Sequence, residues 1–476
     1  MVNFEKAVEP LRLPDDADAA ILLKEGIMAN YPRGTLRVVF VVALAVLVAR
    51  VGAAQTYETI YSFKGSPEAS DPMGGLVIGT NGALFGTTFA GGTSGQGTVY
   101  ELTYAKGTGW KETVLYSFTG SSDGGNPEST LAFGSTGALY GTARSGGGGE
   151  GAIFEMAPPT TTGGAWIETV LYGFGYAPHS QNVVPNGPVL IDKSGTLYTT
   201  TQGSPDTNGG PPLGLVLALV PPATSGSAWT EYELYIFGGN GGGASGEVPT
   251  AGVVSEAGSL FGTTEYAGNG YGTVYELTPP ATNGPAWTET TIHPFAAQPG
   301  DGGGPLAPLT LGSGGVLYGT TSYGGSGSCP KHLGADDGCG TVFQLTPPAT
   351  PGGAWTESVI YSFTGVNGDG AYPAASVAIG KNGALYGTTE YGGIATSPCP
   401  VSSYDFPGGC GTVFKLTPPS APGGTWTETV LHDFTEANGD GASPVAPLVL
   451  SSNGVFYGTT SGGGTAGKGT IFAVAP

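Results

Sequence analysis

The sequence predicts an all-β fold: a seven-bladed β-propeller of four-stranded antiparallel blades, closed by an N-terminal strand that completes the last blade. Gly (88), Pro (38) and an aromatic content of 10% are typical of a folded, turn-rich β protein. A radial array of four-stranded repeats forms a propeller. The main observation is a TVLYSF-like segment that recurs seven times, ending at Phe63, Phe118, Phe174, Phe237, Phe295, Phe363 and Phe434.

Each unit contains the same pieces in the same order. Strand a is a short apolar run such as Leu76-Val77-Ile78, and the Asn-Gly dipeptide that often follows suits a type I′ hairpin. Strand b is the LYGTT segment and strand c is the GTVF segment. A Pro-rich connector leads to a Trp that opens strand d, since Pro does not donate to a strand ladder. A β-helix is the alternative, but its coils are much shorter than these units.

The two ends of the repeat region complete each other. The first copy, Thr56–Phe63, is a strand d with no unit before it, and the last unit ends after strand c at GTIFAVAP. Pairing them closes a ring, whereas an open solenoid requires atypical capping repeats that the sequence lacks. Residues 56–476 are therefore one predicted domain, with blades at 64–118, 119–174, 175–237, 238–295, 296–363, 364–434, and 435–476 plus 56–63.

Residues 1–54 differ from the repeats and have the pattern of a leader. The apolar run Val38–Ala49 follows Arg33 and Arg37 and precedes small residues, which is typical of a signal peptide, with Met28 as an alternative start. At ~1.5 Å per residue a helix of this length spans about 18 Å, short of the ~30 Å membrane core. We expect a secreted, surface or periplasmic protein; an uncleaved N-terminal anchor is the alternative.

The charge balance limits the partners. The formal net charge is −21, and the nine basic residues that follow the leader are scattered. Nucleic acid and anionic membrane surfaces are therefore not expected as partners, and the mature domain is not expected to insert into a membrane. A glycan or protein ligand is compatible with this charge, and we expect a monomer.

The four cysteines form two equivalent pairs. Cys329 and Cys339 bracket the loop between strands b and c of one unit, and Cys399 and Cys410 bracket the same loop in the next. In an exported protein this pattern predicts two disulfides within the loops. A zinc site made by all four is the alternative.

The loops that connect d to a and b to c emerge on one face and carry the variation in length, which makes that face the candidate binding surface. Just after strand b lie Glu265, Tyr266, Tyr323, Glu390 and Tyr391. Tyrosine rings and carboxylates suit a neutral glycan, by stacking and by accepting hydrogen bonds. Packed Tyr-Gly-Gly turns are the alternative, and Glu265 with Glu390 is a candidate acid–base pair.

An acidic residue recurs in the loop after strand d. Calcium ligation is one interpretation, and an Asp-Gly turn whose side chain bonds its own backbone is the other. No other cofactor is predicted, and no catalytic constellation is recognisable. The candidate calcium ligands are Asp123, Asp301, Asp369 and Asp440.

Over about residues 56–476 the LYGTT and GTVF pairs resemble the GloVer-type extracellular tandem repeats of "choice-of-anchor" proteins. The resemblance implies export and surface or extracellular residence, and it implies no particular activity. We therefore expect an exported binding or interaction module that uses its loop-rich face. The alternatives are an extracellular carbohydrate-active hydrolase or lyase and a structural component of the cell surface or matrix.

Overall fold

The structure is a computed structural model, and it describes residues 56–476 apart from 162, 176–182, 204–213, 225, 239–246, 267–269, 281–286, 298–299, 327–328, 330–337, 351, 395–398, 400–407 and 422. The predicted leader, residues 1–54, lies outside the described residues. The described part consists of strands and two single-turn 3-10 helices, Ser313–Gly315 and Lys381–Gly383.

The strands in chain order are β1 (Thr56–Ser62), β2 (Ala69–Ser70), β3 (Val77–Ile78), β4 (Leu84–Thr88), β5 (Ala90–Gly91), β6 (Thr98–Ala105), β7 (Gly109–Ser117), β8 (Ala132–Phe133), β9 (Leu139–Ala143), β10 (Ala152–Ala157), β11 (Ile167–Gly173), β12 (Val183–Pro185), β13 (Leu190–Ile191), β14 (Leu197–Gly203), β15 (Leu215–Val220), β16 (Thr230–Ile236), β17 (Val254–Glu256), β18 (Ser259–Thr264), β19 (Thr273–Thr278), β20 (Thr288–Pro294), β21 (Gly302–Gly303), β22 (Thr310–Leu311), β23 (Leu317–Thr321), β24 (Tyr323–Gly324), β25 (Thr341–Thr346), β26 (Thr356–Ser362), β27 (Gly370–Ala371), β28 (Ala378–Ile379), β29 (Leu385–Thr389), β30 (Tyr391–Gly392), β31 (Thr412–Thr417), β32 (Thr427–Asp433), β33 (Gly441–Ala442), β34 (Val449–Leu450), β35 (Phe456–Thr460), β36 (Gly462–Gly463) and β37 (Thr470–Ala475).

Seven antiparallel sheets of the order a–b–c–d form the blades, which confirms the predicted fold class. Blades 1 to 6 are β3-β4-β6-β7, β8-β9-β10-β11, β13-β14-β15-β16, β17-β18-β19-β20, β22-β23-β25-β26 and β28-β29-β31-β32, and blade 7 is β34-β35-β37-β1. Blade 3 carries the additional strand β12 on β14.

The N-terminal strand closes the ring as predicted. Along β1, Thr56 lies opposite Ala475 and Ser62 opposite Thr470 of β37. Beyond the ladder, the Phe63 amide donates to the Gly469 carbonyl at 3.0 Å. The first described strand of the chain is therefore the outer strand of the last blade.

Threonine side chains join each blade to the next. The first Thr after the Gly position of strand b donates its Oγ1 proton to a carbonyl just before strand a of the following blade. The bonds, at 2.8 to 3.4 Å, are Thr87–Ser129, Thr142–Gly187, Thr200–Ala251, Thr263–Ala307, Thr320–Ala375, Thr388–Ala446 and Thr459–Gly74. The last of these runs from blade 7 to blade 1, so the hydrogen-bonded ring is continuous.

The core is divided among the contacts between blades. Seven clusters of buried described residues occur, one at each junction of neighbouring blades. The Phe that follows each strand d is at most 1% exposed and packs into such a cluster. At the closing junction, the Phe63 ring meets the Tyr100 ring of blade 1 edge-on, with centroids 5.2 Å apart. Burial between blades therefore explains why this Phe recurs in every unit.

One predicted turn is only partly correct. Asn382 and Gly383 both have positive φ, 58° and 74°, as a type I′ turn requires. In the first blade only Gly82 is left-handed, with φ of 80°. There the Asn81 Oδ1 accepts the Ala83 amide at 3.0 Å, which stabilises a different turn.

The repeated Trp also differs slightly from expectation. It lies inside strand d only in blade 1, where β7 contains Trp110, and precedes strand d by one residue in blades 2 to 6. Its ring packs against an aromatic residue on strand b of a neighbouring blade, as Trp166 does on Phe85 with centroids 5.9 Å apart. The Trp therefore contributes to packing between blades.

Candidate binding site at the loop face

The loops on the candidate face are paired with each other. In four units the d–a loop and the b–c loop form a two-stranded ribbon: β2 with β5, β21 with β24, β27 with β30 and β33 with β36. Isolated bridges join Gly125 to Ser145 and Glu247 to Tyr266 in the same way. Both loop types therefore lie on one side of the ring, as predicted from their connectivity.

Two variable positions are held against each other in these ribbons. The first is the residue before the Pro that recurs in the d–a loops, and the second is the first residue after strand b. The amide of the second donates to the carbonyl of the first, as Glu390 does to Tyr372 at 3.0 Å and Glu265 does to Val248 at 3.0 Å. The same bond joins Phe89 to Asp71, Arg144 to Asn126, Ser322 to Gly304 and Ser461 to Ser443. Six units thus bring two variable positions together, and five of them present a pair of side chains, because the first position is Gly304 in the sixth.

The residue before this Pro has a left-handed backbone, which is unusual for side chains larger than Gly. Val248 and Tyr372 have φ of 59° and 60°. Such a conformation costs about 1–3 kcal/mol and is common at functional sites. The Tyr372 amide donates to the Cys339 carbonyl at 2.8 Å, so the preceding blade holds this residue in place.

Tyr372 lies between the predicted site residues of blades 4 and 6. Its ring meets that of Tyr391 with centroids 5.8 Å apart, and its hydroxyl is hydrogen-bonded to Ser322. The carboxylates of Glu390 and Glu265 both act on it electrostatically. One phenol therefore connects loops from three consecutive blades.

The remaining tyrosines surround the same point. Tyr266 donates a hydrogen bond to the neighbouring Glu265 and is 45% exposed. The half-buried Tyr323 interacts electrostatically with Tyr266, Glu265 and Tyr372, and its ring lies 6.2 Å from that of Tyr271. The structure thus gathers the five predicted residues Glu265, Tyr266, Tyr323, Glu390 and Tyr391 into one cluster, which we call the tyrosine–glutamate cluster together with Tyr271 and Tyr372.

The electrostatics of the cluster are dominated by burial. Burial raises the pKa of Glu265 and of Glu390, although a hydrogen bond from the adjacent Tyr lowers each in part. The pKa of Tyr372 is raised to about 12 by burial and then by Glu390 and Glu265, and that of Tyr266 to about 12 by its hydrogen bond to Glu265 and then by burial. The phenols of Tyr266 and Tyr372 therefore stay protonated and remain hydrogen-bond donors at neutral pH.

Both predicted disulfides are present, and they anchor this part of the face. Cys329 is bonded to Cys339 and Cys399 to Cys410, with Cα atoms 4.9 and 5.4 Å apart, in the b–c loops of blades 5 and 6. Cys339 also holds the amide of Tyr372. The covalent bonds therefore restrain the loops next to the cluster.

The predicted calcium ligands occupy separate turns. Asp123 accepts the amide of Thr119 at 2.9 Å, and Asp369 accepts that of Thr364 at 2.7 Å. Asp301 and Asp440 cap the equivalent turns through the amides of Ala296 and Thr435 at 2.8 and 2.9 Å. Each carboxylate thus stabilises its own d–a loop, and calcium binding there stays a prediction.

Sequence reasoning missed Tyr271 and Tyr372. A signal was available for Tyr372 alone, because the residue before the Pro of the d–a loop varies as much as the residue after strand b. The residues at that position are Asp71, Asn126, Val248, Gly304, Tyr372 and Ser443. Their pairing across two loops depends on ribbons that the sequence pattern does not reveal.

Comparison with protein families matches the Gloeobacter/Verrucomicrobia repeat at residues 46–211, 223–398 and 331–476. The chain belongs to this repeat family. The predicted resemblance is therefore confirmed, and the three matches span nearly all of the propeller. No curated protein is significantly similar to the chain in sequence.

Three solved structures are distantly similar to the chain. A protein proposed to be a 6-phosphogluconolactonase, from Bacteroides uniformis, is 15% identical over 78% of this chain and 88% of that one, with a TM-score of 0.44. A protein of unknown function from Dyadobacter fermentans is 14% identical over 78% and 96%, with a TM-score of 0.33. The polysaccharide lyase Uly1 is 12% identical over 90% and 95%, with a TM-score of 0.42. Similarity at this level carries no information about activity.

The disulfides of this repeat protein fit an oxidising, extracellular environment. A search of the described residues for a helix of membrane-spanning length and hydropathy found none.

Proposed function

We propose that this repeat protein is exported and binds a neutral glycan at the tyrosine–glutamate cluster of blades 4 to 6. The observation that carries the proposal is the convergence of tyrosines and two carboxylates from three blades around Tyr372. Aromatic rings stack on the apolar faces of sugars, while carboxylates accept and phenols donate hydrogen bonds to sugar hydroxyl groups.

Restraint of the loops favours binding. The disulfides and the interlocking backbone bonds hold the cluster before a ligand arrives. A preformed site loses less conformational entropy on association than a mobile one. The net charge of −21 and the two carboxylates disfavour acidic ligands, so a neutral glycan is the class we propose.

The test is a glycan screen of the mature protein, followed by calorimetry on the best ligand. Tyr266→Ala removes the most exposed ring of the cluster, and we expect it to weaken binding at least tenfold, or about 1.4 kcal/mol. Tyr232→Ala is the matched control, since Tyr232 is 54% exposed on the outer strand β16 of blade 3. Absence of any glycan ligand, or equal effects of the two substitutions, contradicts the proposal.

A carbohydrate-active enzyme is the second candidate. Glu265 and Glu390 both have a pKa raised by burial, and both act on Tyr372 from different blades. A carboxyl with a raised pKa is suited to act as a general acid beside a second carboxylate. Chromatography of bound glycans after long incubation tests for cleavage. The enzyme is favoured if the protein cleaves the glycan and if the double variant Glu265→Gln, Glu390→Gln binds the glycan without cleaving it. Glycans that stay unchanged favour the binding module.

Export through the leader is part of the proposal and has its own test. The protein is expressed with its full leader in a bacterium that secretes proteins, and the mature N-terminus is sequenced. We expect it to begin near residue 55, just before β1. Retention of the full leader on a cytoplasmic protein contradicts export.

A further inference from the structure

The outer strands of neighbouring blades meet at a polar junction that repeats around the ring. At five junctions the sixth residue of the strand-d motif in one blade, Tyr or His, interacts with the second residue of that motif in the next blade. That second residue is Glu in six copies of the motif. Between blades 7 and 1 the Tyr61 hydroxyl donates to the Glu112 carboxylate at 2.7 Å. The tyrosine donor thus satisfies one oxygen of this carboxylate, while the Glu112 Oε1 is buried and has no hydrogen-bond partner among the described residues.

Between blades 4 and 5 the junction has no such phenol. His293 occupies the Tyr position, and it lies beside Asp301 of the following loop and Glu357 of blade 5. One ligand atom from each of these three residues lies within 4.8 Å of the other two. The His293 Nε2 is 3.4 Å from the Asp301 Oδ1. Three potential ligands from three separate segments therefore converge on one point.

The hydrogen bonds of this junction leave one ligand atom unused. Asp301 is fixed by the amides of Ala296 and Gly302, at 2.8 and 2.7 Å. The Glu357 Oε1 is buried and has no hydrogen-bond partner among the described residues. The same is true of the equivalent Oε1 of Glu112, Glu168 and Glu428, so what distinguishes this junction is the imidazole and the second carboxylate beside it. Two carboxylates and an imidazole provide several acceptors but at most two ring protons, and such an arrangement favours an additional positive charge.

The junction between blades 6 and 7 shows how the same pair is completed without a cation. His432 lies 3.1 Å from Asp440, but Tyr57 replaces the Glu of the motif. The Tyr57 ring stacks on the imidazole at 3.3 Å, and its hydroxyl donates to Asp440 at 2.7 Å. The Tyr57 hydroxyl is therefore a hydrogen-bond donor at the position where, between blades 4 and 5, Glu357 provides an acceptor.

We propose that His293, Asp301 and Glu357 bind one divalent transition-metal ion of the Zn²⁺ class between the outer strands of blades 4 and 5. An imidazole nitrogen with two carboxylates suits Zn²⁺, with water as a fourth ligand, whereas Ca²⁺ prefers an all-oxygen shell. The ion joins the loop that follows strand β20 to strand β26, so its role is to hold two blades together. None of these ligands belongs to the tyrosine–glutamate cluster.

The experiment uses the full mature protein after treatment with EDTA. Zn²⁺ binding is measured by calorimetry and by the shift in melting temperature, with Ca²⁺ in parallel. We expect one Zn²⁺ site, weakened at least tenfold by His293→Tyr, which restores the commoner residue of the motif. His432→Tyr is the matched control and should leave Zn²⁺ affinity unchanged. Melting in EDTA shows whether each variant is folded.

Co²⁺ provides a second measurement that does not depend on any variant. At a site with imidazole and carboxylate ligands, bound Co²⁺ should give intense visible absorption. The absorption should disappear when Zn²⁺ displaces the Co²⁺. The proposal is overturned if the wild-type protein binds no Zn²⁺, if His293→Tyr binds it as tightly, or if both histidine variants lose it equally. Equal affinity for Ca²⁺ and Zn²⁺, or a Co²⁺ spectrum like that of the free aqueous ion, also overturns it.

Discussion

Replacing Phe63 with alanine tests whether the N-terminal strand is a full part of the ring. The Phe63 side chain is fully buried, and its ring meets Tyr61 and Tyr100 edge-on with both centroid distances at 5.2 Å. Removing a buried Phe from a core costs about 3–5 kcal/mol of unfolding free energy. We expect a loss in this range, although Phe63 is more than 400 residues from β37 in sequence.

The assay is urea unfolding followed by tryptophan fluorescence, and Phe118→Ala is the control. Phe118 is equally buried, its ring lies 5.1 Å from that of Phe154, and its amide bonds Gly97 as that of Phe63 bonds Gly469. The two variants should lose similar stability in one cooperative transition. A loss below about 1 kcal/mol for Phe63→Ala beside a normal loss for Phe118→Ala would refute closure by β1.

Three further predictions concern the ring and its loops. Reducing the two disulfides, which close loops with sequence separations of 10 and 11, should lower stability by about 2–3 kcal/mol each, measured by unfolding with and without reductant. Thr459→Val removes the bond to the buried Gly74 carbonyl and should cost about 1–3 kcal/mol in the same assay. The pKa of Glu168 is raised to about 7 by burial and then by Asp123, so the folded state retains a proton that the unfolded state releases above its ordinary value of 4.5. Stability from this group is therefore present below about pH 4.5 and lost as the pH rises to about 7, and Glu168→Gln should flatten the dependence in urea midpoints taken at pH 5 and 8.

Each of these has a clear contrary outcome. Unchanged stability after verified reduction means that the loops contribute nothing to the folded state. A Thr459→Val variant as stable as the wild type means that water or another donor satisfies the carbonyl. If Glu168→Gln keeps the full pH dependence between pH 5 and 8, other groups cause it.

The repeat made the architecture predictable from sequence. The seven copies of the strand-d motif, each ending in Phe, predicted the number of blades. The unmatched copy at Thr56–Phe63 predicted that the N-terminal strand closes the ring. Strands b and c were recognisable because their residues are buried in every blade and vary little between units. The type of turn at Asn81 was not predictable. An Asn-Gly dipeptide is compatible with a type I′ turn and also with a turn in which the Asn side chain accepts a backbone amide, as Asn81 does from Ala83.

The candidate site was predictable only in part. Glu265 and Glu390 were found because they follow a regular strand, so their place on the face depends on connectivity alone. Tyr372 was missed because its position depends on a left-handed backbone and on a bond to Cys339 of the preceding blade. The His293 junction was also missed, since it depends on how outer strands of two blades approach each other.

The pairing of β1 with β37 sets the order in which the fold is completed. Synthesis runs from the N-terminus, so β1 emerges before its neighbour and has no ladder partner until the final strand is made. Throughout that interval the segment Thr56–Ser62 has no strand to pair with and presents a free strand edge, the kind of surface that recruits other chains. A nascent protein interrupted before Thr470 lacks β37, so β1 stays unpaired, and premature termination near the end of translation should produce aggregates rather than a slightly shortened propeller.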